Sequence, residues 1–140
     1  MKLKRSEAIA AYTGLTMLEK GNGENKPFSL SWDMWDKVFR MMAQLQPVAD
    51  RWNKSRQQRF ANLANGDAVI NDPKIAMLFQ REEDAALEEI ISVKMPKELP
   101  SETQLALREN RIPPSVLIML RPLIRWNEDG GAFDDDQDNY

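Results

Sequence analysis

The chain contains no cysteine and no histidine among its 140 residues. Without cysteine there are no disulfides, no thiolate nucleophiles and no sulfur-ligated metals. Without histidine the chain lacks the commonest general base and the commonest metal ligand. It also lacks any apolar run near the ~20 residues that cross a bilayer. The first residues, Met1-Lys-Leu-Lys-Arg5, are basic, but no apolar signal core follows them, which predicts a cytosolic product. Glycine is scarce, with six in all, and none falls between Ser31 and Ala64.

That glycine-free stretch is the strongest pattern present. Trp35, Val38, Met42, Leu45, Ala49 and Trp52 are spaced 3, 4, 3, 4, 3, the a/d seam that lets one helix lie along another. Val38–Phe39 and Met41–Met42 widen the stripe, as in a helix burying a broad face in a bundle. Ser29 or Ser31 caps the helix, with Asp33 and Asp36 near its positive end. Pro47 interrupts the hydrogen bonding but not the apolar register, so the pattern predicts one kinked helix. Beyond Trp52 the chain turns basic, and Asn65-Gly66-Asp67 ends the helix.

The remaining segments are shorter. Leu3 between two lysines predicts an edge strand. Ser6 as N-cap opens a helix with a stripe of Ile9, Tyr12, Leu15 and Leu18, stopped by Gly21-Asn22-Gly23. Asp72-Pro73 starts another helix, whose predicted buried face is Ile75, Leu78, Phe79, Ala86 and Ile90. Ile91 to Met95 alternates apolar and polar and predicts a strand pairing antiparallel with the Leu3 segment. Ser101 with Gln104 has capping-box spacing for a short helix. Ile112-Pro113-Pro114 forms an elbow before Val116 to Leu120, apolar all round and expected to be buried on most sides. Leu123, Ile124 and Trp126 close the core. The fold class is therefore mainly α, a long kinked helix packed against shorter helices with a small two-stranded β-ribbon. Residues 1–127 form one helical domain.

The formal charge is −3, and from Glu128 to Tyr140 there are six acidic residues and no basic one. Removing those six leaves 16 acidic residues against 19 basic ones, a body near +3 with a solvated acidic tail, 128–140.

This order of features resembles short tailed-phage proteins of unassigned function. The matching stretches are Met1–Leu18, Phe28–Leu63, Phe79–Met95 and Ile112-Pro-Pro-Ser-Val-Leu-Ile-Met-Leu120. The chain departs from that plan at Pro47, at Pro113-Pro114 and in its long acidic tail. The resemblance implies a phage or prophage origin and a non-enzymatic role, in the host cytoplasm during infection or in the virion. It carries over no functional residues.

Four groups of residues are candidate sites. Trp32, Trp35, Phe39, Met42 and Trp52 combine helical spacing with the residue types enriched at interface cores. They suggest a surface for a protein partner, a second copy or another virion or tail protein. Arg51, Lys54, Arg56 and Arg59, with Trp52 beside them, have the charge for phosphate contacts. The competing reading pairs these arginines with Glu82, Glu83 or Asp84, and an acidic chain disfavours a nucleic-acid binder. Phe133, Asp134, Asp135, Asp136 and Asp138 form an acidic motif that suits a small effector inhibiting a host protein. They lack the spacing and central glycine of a calcium loop. The carboxylates Glu82, Glu83, Asp84, Glu88 and Glu89 read as a solvated face, since dinuclear bundle sites pair Glu with His. No cofactor, catalytic residue or membrane is implied. The leading expectation is a non-catalytic, self-associating assembly protein.

Overall fold

The computed structural model describes residues 1–21, 29–95 and 112–124. Its elements run β1 (Lys2–Lys4), α1 (Arg5–Lys20), α2 (Trp32–Ala64), α3 (Pro73–Glu88), β2 (Ile90–Ser92) and α4 (Pro114–Leu120), followed by a 3-10 turn at Arg121–Leu123. The expected mainly α architecture, with a long helix and a two-stranded ribbon, is what the chain adopts. The expected 101–109 helix, Trp126 and the acidic tail lie outside the described residues.

The ribbon pairs antiparallel, with Leu3 opposite Ile91. Backbone bonds between Met1 and Val93 extend it. Leu3, Val93 and Met95 point inward while the lysines point out, so period-2 alternation sets one buried face. The strand proper begins one residue earlier than expected and is shorter.

Because β1 runs directly into α1, the cap of α1 is Lys4 and not Ser6. The Lys4 backbone N–H donates to the Glu7 carboxylate at 2.9 Å, which satisfies one of the amides left over at the helix end. At the other end Gly21, at φ 81°, donates to the Met17 carbonyl. The predicted stripe of α1 is rotated in the fold. Ala8, Ala11, Gly14, Leu15 and Leu18 are buried, whereas Ile9 and Tyr12 are only half-buried. Small side chains allow two neighbours to come close, α2 on one side and α4 on another. A Cβ built on Gly14 would stand 3.0 Å from both the Met119 Cβ and the Leu120 Cδ2.

Helix α2 has 33 residues and is about 50 Å long at 1.5 Å per residue. The Ser31 hydroxyl caps it by accepting from the Met34 N–H. The helix continues through Pro47 and ends at Asn65, whose φ of 51° places it in the left-handed region. Its deep residues are Val38, Met41, Leu45 and Ala49, whereas Trp35, Met42 and Trp52 of the expected seam are only half-buried. The central seam is covered by α1 within the same chain.

The main core joins Leu15, Leu18, Val38, Met41 and Leu45 to Met95, Leu120, Leu123 and Ile124. Although α2 is the longest element, α1 is the hub, packing against β1, α2, α3, α4 and the 3-10 turn. Helix α4 is less enclosed than its composition suggests, for Ile118 is exposed while Val116 and Leu120 are buried. No helix among the described residues is long and apolar enough to cross a membrane.

Candidate functional site

Helix α3 starts as expected, with Asp72 accepting from the Lys74 N–H at 2.9 Å and Pro73 in the first turn. Its buried face is the predicted one only in part. Phe79 and Glu83 are buried and Ala76 and Ala86 half-buried, while Ile75, Met77, Leu78 and Ile90 are exposed. Neither Phe79 nor Glu83 belongs to the main core. They form a satellite cluster where α3 crosses the far half of α2. There Phe60 meets Phe79 edge-on, with ring centroids 6.0 Å apart.

Glu83 corrects the expectation of a solvated acidic face. Its side chain is only 6% exposed, and Arg56 Nε donates to both carboxylate oxygens, at 3.0 and 2.7 Å. The burial of a carboxylate is tolerated because its partner is charged and bonded to it. The Arg59 guanidinium lies 5.3 Å from the Phe79 ring centre, a cation–π contact. Its Nη1 is 3.9 Å from Glu82, while Nε and Nη2 are buried with no hydrogen-bond partner among the described residues. The four basic candidates therefore separate. Arg56 and Arg59 turn toward α3, and Arg51 and Lys54 are exposed.

The aromatic candidates separate too. Trp32, Trp35 and Phe39, at i, i+3 and i+7, share one face at the start of α2. Trp32 is 88% exposed and Phe39 49%. The rings of Trp35 and Phe39 stack at 5.5 Å with a 20° interplanar angle. Met42 packs against the main core. Trp52 lies around the helix, in a cleft of about 400 Å³ between α2 and the ribbon. Val48, Arg51, Trp52, Ser55 and Arg59 supply one wall of that cleft, and Arg5 and Ile91 belong to the other. Arg5 carries no local sequence signal, since it faces this wall only because the ribbon brings the start of α1 beside the end of α3. Arg5 Nη1 donates to the Ala86 carbonyl at 2.6 Å and to Glu89 at 3.0 Å, which fixes its side chain.

Phe133, Asp134, Asp135, Asp136 and Asp138 lie outside the described residues. No protein-family model, curated protein or solved structure matches this chain.

Proposed function

We propose that the protein is a non-catalytic interaction and assembly protein that associates with a second copy of itself through the strip Trp32, Trp35 and Phe39. The observation that supports this reading is an aromatic ladder beside the core and not within it, led by a tryptophan in the first turn of α2 that is almost wholly exposed. Aromatic side chains bring large apolar area at low entropy cost, and they dominate the energetics of interfaces. Because α1 already covers the central seam of α2, Trp32 and Phe39 are the aromatic residues of this helix left exposed among those described. The phage origin, with a place in a virion or tail assembly, rests on the resemblance of the chain's feature order.

The test is sedimentation over a concentration series, with melting followed by circular dichroism. The wild-type chain should show a reversible increase in mass with concentration. Trp32→Glu combined with Phe39→Glu should stay monomeric at every concentration with the melting temperature kept. A wild-type chain that is monomeric throughout overturns the reading.

A further inference from the structure

We propose that the cleft between α2 and the ribbon binds a small phosphorylated molecule carrying a planar ring, of the mononucleotide class. The inference is independent of self-association, which uses a different face of α2. Residues 48, 51, 52, 55 and 59 recur at i, i+3, i+4, i+7 and i+11, a single stripe of one helix, and all of them line the cleft. The opposite wall comes from Arg5, the end of α3 and the ribbon. A volume of about 400 Å³ is within the range of small-molecule sites and too large for a bare phosphate.

Arg5, Arg51 and Arg59 line the cleft. Arg5 is paired with Glu89 at 3.0 Å and Arg59 Nη1 lies 3.9 Å from Glu82, so exposed Arg51 is the lining cation without a carboxylate neighbour among the described residues. Each guanidinium presents a planar fork that matches phosphate oxygens, and all three line the same cleft. Two of the three are held in place, Arg5 by the Ala86 carbonyl and Glu89, and Arg59 by the Phe79 ring. The Nε and Nη2 atoms of Arg59 lack partners among the described residues, and buried donors left unmade are costly. Beside the arginines, half-buried Trp52 offers a ring face for stacking, while Val48 and Ile91 supply apolar contact. An extended nucleic-acid backbone needs a track of outward cations, and Arg56 has been drawn away from such a track by Glu83.

The experiment is calorimetry on the full chain with AMP, UMP, adenosine and inorganic phosphate, together with tryptophan fluorescence. AMP or UMP should bind saturably and quench fluorescence. Adenosine and inorganic phosphate should each bind at least tenfold more weakly than AMP. Arg51→Ala, at an exposed position, should weaken binding about tenfold, or about 1.4 kcal/mol, without moving the melting temperature. Lys54→Ala, outside the cleft lining, should leave binding unchanged. Absence of saturable binding of either nucleotide, or equal affinity in Arg51→Ala, overturns the proposal. Phosphate binding as tightly as AMP overturns its planar-ring component.

Discussion

Glu83 and Arg56 form the most consequential side-chain pair in the described structure, and their burial is unequal. The Glu83 side chain is 6% exposed and that of Arg56 50%. Removing the arginine strands a buried carboxylate, while removing the glutamate leaves an arginine that water can still reach. Arg56→Ala should therefore cost about 2–3 kcal/mol of unfolding free energy, against about 1 kcal/mol for Glu83→Ala. Denaturant titration at neutral pH measures both, and the reverse order would contradict this account. The choice of residues 82–84 as partners for the arginines was legible from the sequence. Which of the three is buried was not, because that depends on how α3 is turned about its own axis. A weaker pair ties the ribbon to α3. Lys4 Nζ lies 2.9 Å from Glu88, whose hydrogen bond, and then whose charge, raise the Lys4 pKa above its ordinary 10.5. The folded value exceeds the unfolded one, so the contribution is complete below pH 10.5 and drains away as pH rises through the folded value. The pair is exposed and the effect is small. The melting-temperature gap between wild type and Lys4→Gln should accordingly narrow above pH 10.5. A gap independent of pH would show that the pair does not contribute.

Helix ends were legible where a specific residue sets the backbone. Ser31, Asp72-Pro73, Gly21 and Asn65 all act at the ends they mark. The buried faces were less legible. Hydrophobicity reports what exposure costs a residue, but not which neighbour comes to cover it, and close packing favours small residues where two helices approach. That is why Ala8, Ala11 and Gly14 are buried in α1 while Ile9 and Tyr12 are not, and why Leu78 of α3 is exposed. Helix α2 retains one internal discord, since Pro47 withholds an amide from the ladder at an exposed position. Pro47→Ala should raise stability, by up to ~3 kcal/mol. A loss of stability would mean that the proline's backbone geometry is required for packing α2 on α1.

The molecule has two zones of unequal burial. One is the main core around α1, and the other is the satellite where the far half of α2 meets α3, with Ala64, Phe79 and Glu83 as its buried residues. Opening free energies follow local burial. Native-state hydrogen exchange should therefore find the amides of residues 53–64 and 73–82 less protected than those of residues 38–49. Uniform protection along α2 would show that the two zones unfold together. At this scale the sequence disclosed the architecture but not which candidate residues the fold brings together. Trp32, Trp35 and Phe39 do share a face, but Trp52 belongs to a cleft whose third arginine, Arg5, comes from the far end of the chain. Gly14 carries a consequence for synthesis. Its contact with Met119 and Leu120 joins segments more than a hundred positions apart. A nascent chain that has already released α1 and α2 still holds Leu15 and Leu18 incompletely covered until α4 and the 3-10 turn after it leave the ribosome. Helper chaperones, if the cell supplies them, would have that interval in which to act.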